Sequence, residues 1–132
     1  TPVLLIGEGR DEQEPLPTVL ARRLEIVLDG CRADQVAEMA FIYEPEGAIG
    51  AKAPVAPEHA ARGCQTIRDW LRARWGPEVA EQARILYGGS VAPEYASALL
   101  ASADVDGLGA SRRGRDSVAF ADLVRQIARA KQ

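Results

Sequence analysis

The chain has 132 residues, with 16 Lys and Arg against 19 Asp and Glu and a formal net charge of −3, a length that suits one ordinary domain rather than two. At 47% hydrophobic and 27% charged residues it has a globular make-up, and folding at this size buries roughly two thirds of the unfolded surface. The mild acidity gives no field to gather nucleic-acid phosphates or an anionic membrane, and aromatics at 5% leave little for base stacking, so neither partner is expected.

Cys31 and Cys64 stand 33 residues apart with no CxxC and no neighbouring His, which points to buried free thiols rather than a metal site or a disulfide framework. No apolar run nears 18 residues and no basic-then-apolar leader is present, so a cytoplasmic location is expected. The chain opens on Thr1 and enters an apolar run within two residues, which reads as a cut start.

The first of four short apolar runs is Pro2 to Glu8, followed by a helical stripe at Leu20, Leu24, Val27 and Leu28 after a Pro17-Thr18 start. The second, Ala40 to Pro45, precedes a stripe at Ala60, Cys64, Ile67 and Leu71 that opens on Ala56-Pro57-Glu58. Arg84 to Ser90 leads to Ala92-Pro93-Glu94 and a stripe at Tyr95, Ala98 and Leu99. Asp104 to Gly109 leads to Asp116-Ser117 and a stripe at Phe120, Leu123, Val124 and Ile127. The runs read as strands and the stripes as helices with Pro or a capping side chain in the first turn. Strand and helix alternating four times predicts an α/β fold of parallel strands with right-handed crossovers. Consecutive apolar positions in the runs predict strands covered on both faces.

In such sheets ligands sit at the carboxyl ends of the strands, here Glu8, Glu44, Gly88-Gly89-Ser90 and the segment from Gly109 to Gly114. Gly88-Gly89-Ser90 is either a plain tight turn or a place where backbone N–H groups and a hydroxyl meet a phosphate. Glu44 is either a solvated loop residue or a general base under the long segment from Gly47 to Pro57. Arg112, Arg113 and Arg115 form either a solvated face or a neighbour for an anion. His59, the sole histidine, falls in a first helical turn and is expected to be exposed and solvated. No Ser-His-Asp or Cys-His system assembles around it.

Taken together, Ile42-Tyr43-Glu44-Pro45, Ala48-Ile49-Gly50, Pro57-Glu58, Arg84 to Glu94 and Val105-Asp106-Gly107-Leu108 resemble, in order and spacing, the triosephosphate isomerase family. The resemblance runs along the whole chain and implies the C-terminal half, (β/α)4, of a (β/α)8 barrel, as a single partial domain over residues 1–132 carrying strands five to eight. It implies interconversion of dihydroxyacetone phosphate and glyceraldehyde 3-phosphate through an enediol, with Glu44 as the base; the family itself is the standard example of a base working beneath a closing lid. Gly50 then grips the substrate phosphate through its N–H, Ser90 is a second phosphate contact, Tyr87 latches the closed lid, and Ser111 and Arg112 complete the phosphate site. No metal or other cofactor is implied. The expected partners are a phosphorylated small sugar and either a second copy in a homodimer or a complementing N-terminal half-barrel.

The chain departs from the family at the lid. Glu46-Gly47 replaces Val-Trp after the Glu-Pro, removing an aromatic anchor at the first hinge, and Lys52-Ala53-Pro54 stiffens the far hinge. Arg112 matches relatives that act on tetrose phosphates. The family's substrate-gripping Asn and Lys and its electrophilic His belong to the other half of the barrel. The triose reading is therefore of a fragment inactive on its own, and a tetrose phosphate isomerase and a non-catalytic phosphate-binding half-barrel stand beside it, while an open receiver-like sheet fits the length but none of the motifs.

Overall fold

In the computed structural model, which describes residues 1–131, four parallel strands lie side by side in chain order. They are β1 (Val3–Ile6), β2 (Ala40–Tyr43), β3 (Arg84–Gly88) and β4 (Gly107–Gly109). The register pairs Leu5 with Ile42, Ile42 with Leu86, and Leu86 with Gly107. Sequential parallel neighbours require a crossover after each strand. Those crossovers carry α1 (Leu16–Val27), α2 (Ala33–Ala37), α3 (Pro57–Trp75), α4 (Pro77–Gln82) and α5 (Pro93–Leu99), and α6 (Ser117–Ala130) follows β4. The four βα units expected from the alternation are all present.

Helix starts follow the residues that mark them. Pro17, Pro57 and Pro93 each lie in a first turn, where a missing N–H costs nothing. The Asp116 carboxylate accepts from the N–H groups of Val118 and Ala119 and caps α6. Two short helices escaped the periodicity, because five or six residues are too few to repeat a 3.6-residue stripe. In α2 the Gln35 side chain reaches back to the Arg32 N–H, and Pro77 opens α4 after Gly76 has ended α3.

Side chains alternate across the sheet. Phe41, Tyr43, Ile85 and Tyr87 are fully buried with Leu20, Leu24, Ile67, Leu71 and Leu99, and each such aliphatic side chain gains about 1.5–3 kcal/mol over exposure. The other face carries Val3, Leu5, Ile42 and Leu86, and Val3 and Leu5 are 54% and 56% exposed. The expectation of strands covered on both faces therefore fails, because the helices of four βα units cover only one side. The expected stripes fail at Val27 of α1 and at Phe120 and Val124 of α6, exposed on the outermost helices, and at Ala98 of α5, which is exposed as well. Cys64 is fully buried but Cys31 only half-buried, which corrects the reading of two buried thiols.

One brace fixes the amino ends of β3 and β4. The expected start of the last strand at Asp104 gives way to a polar anchor, since the Asp106 carboxylate accepts from the Ile85 N–H at 2.7 Å and from the Arg68 guanidinium at 2.7 Å. Arg68, on α3, also donates to the Ala80 carbonyl at 2.6 Å. A largely buried guanidinium thereby serves three elements and leaves no charge unpaired.

Candidate functional site

The carboxyl ends of the strands gather the candidate residues. Glu44 is the first residue past β2, its N–H held by the Ile6 carbonyl at 2.9 Å. Its carboxylate stands over β3, with Oε1 3.6 Å from the position a Cβ on Gly88 would take. Glu44 borders a cleft of about 300 Å³ with Glu8, Glu46, Ile49 and Arg23. Glu46, the second carboxylate nearby, turns toward the segment after β1 and accepts from the Arg10 N–H at 3.1 Å.

Gly50, Ser90, Ser111 and Arg112 border a second cleft of about 360 Å³, together with Lys52 and Arg113. Three cationic side chains, one of them on the long loop, thus border a space faced by a glycine-rich turn and by a single carboxylate, Glu94, and the excess of positive charge suits an anion. The structure brings these four together and sets Glu44 in the neighbouring cleft, both under the loop that runs from Gly47 to Ala56. Arg115, the third cation of the cluster, does not border either space.

That loop is docked. A turn of 3-10 helix, Glu46–Ala48, packs the Ala48 methyl against the backbone at Gly89. A Cβ at Gly89 would come within 2.7 Å of the Ala48 Cβ, and its φ of 116° excludes ordinary side chains. Ser90 adopts a positive φ of 50°, which costs a non-glycine residue on the order of 1 kcal/mol. In that conformation its hydroxyl reaches the Ala51 carbonyl at 2.7 Å and the Ala48 carbonyl at 3.0 Å. The Arg112 guanidinium donates to the same Ala51 carbonyl at 3.1 Å. At the far end the Tyr87 hydroxyl donates to the Gly89 carbonyl and accepts from the Val55 N–H, both at 3.1 Å. Burial raises the Tyr87 phenol above its ordinary value, so it keeps the proton that it donates.

His59 is only partly the solvated side chain expected, with 39% of its side chain exposed. Its Nε2 lies 2.7 Å from Glu8 Oε1 and 2.9 Å from the Tyr43 hydroxyl, because the first turn of α3 also faces the segment after β1. Tyr43 in turn donates to Glu8 Oε2 at 2.8 Å. Burial first, then the Glu8 charge, raise the Tyr43 phenol, and its ring packs on α3 where Gly63 offers no Cβ. Glu8 was marked only by its place at a strand end, and nothing local in the sequence joins it to residues 35 and 51 positions away.

Among the described residues no group of three or more His, Cys, Asp and Glu side chains is arranged to hold a metal ion, and no helix is long and apolar enough to cross a membrane. The fold and the strand-end site define a class: a parallel βα half-barrel with an anion-suited cleft and a carboxylate beneath one docked loop. Within that class, the profile of the family described as Triosephosphate isomerase matches residues 1–127. The chain is 36% identical over 129 residues to a triosephosphate isomerase of Streptococcus equi subsp. zooepidemicus, covering 94% of this chain and 51% of that protein. It is 36% identical over 126 residues to one from Solibacter usitatus, with the same shares covered. Identity is 37% over 108 residues to one from Carboxydothermus hydrogenoformans, covering 80% of this chain and 43% of that protein. The chain belongs to the triosephosphate isomerase family and spans about half the length of the curated relatives it matches. Its four βα units are the (β/α)4 half of a (β/α)8 barrel.

Proposed function

We propose that this chain supplies the C-terminal half of the active site of a cytoplasmic aldose–ketose isomerase that interconverts dihydroxyacetone phosphate and glyceraldehyde 3-phosphate. The observation that carries the reading is the convergence of Gly50, Ser90, Ser111 and Arg112 on one cleft beside Glu44 beneath a single docked loop. Residues 1–132 form one partial domain, and the groups that polarise the substrate carbonyl come from the complementing N-terminal half of the barrel, in a protein that acts as a homodimer.

In this mechanism the phosphate is held by the N–H of Gly50, by Ser90 and by the backbone of Ser111 and Arg112, groups that take no part in the proton transfer. Because the Ser90 O–H is engaged on loop carbonyls, its contribution to an anion is its backbone N–H. Glu44 removes a proton from one carbon next to the carbonyl and returns it to the other, through an enediol. A carbon acid of this kind is weak, so the step benefits from a dry site, and the loop docked by Tyr87, Ser90 and Arg112 excludes water from it.

A second reading, a half-barrel that binds phosphorylated ligands without turnover, is favoured by Glu46, Gly47 and Pro54, which remove the hinge anchor and stiffen the lid. Arg112 favours a tetrose phosphate in place of a triose phosphate. The test assays the complete natural polypeptide, and this chain mixed with the N-terminal half of a family member, for interconversion of triose and tetrose phosphates, with calorimetry of inorganic phosphate alongside. Triose turnover supports the proposal; phosphate binding with no turnover in either form overturns it in favour of the second reading.

A further inference from the structure

The loop over the site leaves the sheet just after Glu44 and rejoins the fold at the start of α3, and one knot of side chains spans those two ends. Tyr43 stands immediately before Glu44, and His59 stands four residues after Val55, the far latch point. Their polar atoms are 2.9 Å apart, and both lie on the Glu8 carboxylate, at 2.7 Å from the imidazole Nε2 and 2.8 Å from the phenol. One proton arrangement satisfies all three: the phenol O–H goes to Glu8 Oε2 and the imidazole Nε2–H to Glu8 Oε1, so the carboxylate accepts twice. The Tyr43 ring is buried to the last atom and cannot follow a movement of the loop.

The loop itself has no side chain to offer this knot. A Cβ at Gly47 would meet nothing within 4 Å, and an open space of about 360 Å³ lies between Pro45, Gly47, Val55 and His59. Glu12, Glu14 and Arg10 border the same space, and Glu12 and Glu14 are occupied by Arg22 and Arg23. The imidazole thus reaches Tyr43 and Glu8 from the first turn of α3, where the loop has already ended.

We infer that His59 is a positioning residue that clamps both ends of the Gly47 to Ala56 loop through Tyr43 and Glu8, fixing the backbone from which Glu44 projects. The kinetic part of this inference rests on the isomerase reading; the clamp itself does not. With its ends tied, the loop moves only between Pro45 and Ala56. Glu44 stays in register with Gly88 because its neighbour Tyr43 is held from three sides.

The experiment compares the complete natural polypeptide with His59→Leu and His59→Gln variants, the latter keeping an N–H that reaches Glu8. In His59→Leu the amides of Ala48, Ile49, Ala51 and Val55 exchange with deuterium about tenfold faster, while those of Ile67 and Leu71 are unchanged. His59→Gln restores the loop to within about threefold of the natural rates. In parallel, kcat falls about tenfold in His59→Leu, from a displaced base, with KM within about twofold, and His59→Gln recovers it. Equal acceleration in loop and core, no acceleration at all, or a Gln variant as impaired as the Leu variant overturns the inference. A natural protein with no isomerase turnover overturns the isomerase reading alone, since the exchange rates still decide the clamp.

Discussion

The hydroxyl of Ser90 donates to the carbonyl of Ala51 across 2.7 Å, so a residue of the glycine-rich turn holds the loop that covers it. Replacing Ser90 by Ala leaves the carbonyls of Ala48 and Ala51 without this donor. The expected result is a loop that dissociates more readily and a KM for phosphorylated substrate raised about three- to tenfold, which corresponds to roughly 1 kcal/mol for one hydrogen bond. Steady-state kinetics on the complete protein checks it, and an unchanged KM with a reduced kcat would count against a docking role.

Glu44→Gln keeps the size and shape of the side chain and removes its basicity. Under the proposed function kcat drops by about 10²–10⁴-fold, while calorimetry with inorganic phosphate gives an affinity unchanged within about twofold, since Gly50, Ser90, Ser111 and Arg112 border a separate cleft. A loss of less than about tenfold in kcat would remove Glu44 from the role of base.

Gly63→Ala tests the packing beneath the same site. The new methyl falls on the Tyr43 ring, and that ring is fully enclosed, so either α3 or β2 must shift. An overpacking cost of about 1–3 kcal/mol is expected, read as a lower midpoint in urea with an unchanged slope. If the shift moves Tyr43, kcat falls with stability.

Cys64 gives the fold a dependence on alkaline pH. Burial pushes its thiol up to about 12, helped by the Asp106 charge, against 9.0 in the unfolded chain. Between these values the unfolded chain releases a proton that the folded chain retains. Stability is therefore fully present below pH 9 and falls as pH rises toward 12, by about 1.4 kcal/mol per pH unit. Tyr43 and Tyr87 are raised too, so the measurement is a difference: urea midpoints of natural protein and Cys64→Ala between pH 8 and about pH 10.5, with the gap narrowing as pH rises. At pH 8 a thiol reagent should modify half-buried Cys31 and leave Cys64 untouched.

The order of strands and helices was legible because each unit carries its own punctuation: apolar runs that end in Gly-Glu, Glu-Pro or Gly-Gly-Ser, then Pro or Asp at a helix start. These are local signals, and local structure obeys them. The two short helices were not legible, since Ala33–Ala37 and Pro77–Gln82 are held by a cap and by packing rather than by a repeating stripe. The contacts of His59, though not its partial exposure, escaped the sequence for a related reason. A polar residue in a first helical turn is usually solvated, and only the crossover geometry turns that helix start toward Glu8. The anion-suited cleft was legible as a set of strand-end residues, but the engagement of the Ser90 hydroxyl by loop carbonyls was not, because it depends on a positive φ that the residue type does not announce.

The exposed Val3 and Leu5 sit on β1, whose outer edge, like that of β4, has no neighbouring strand among the described residues. For the bench this is a matter of handling rather than of mechanism. A solution of this polypeptide alone carries two open rows of amide and carbonyl groups, the one on β1 flanked by the apolar side chains of Val3 and Leu5, an arrangement that recruits further chains edge to edge. Its self-association should rise steeply with concentration, and a shielding partner added at the refolding step should raise the yield.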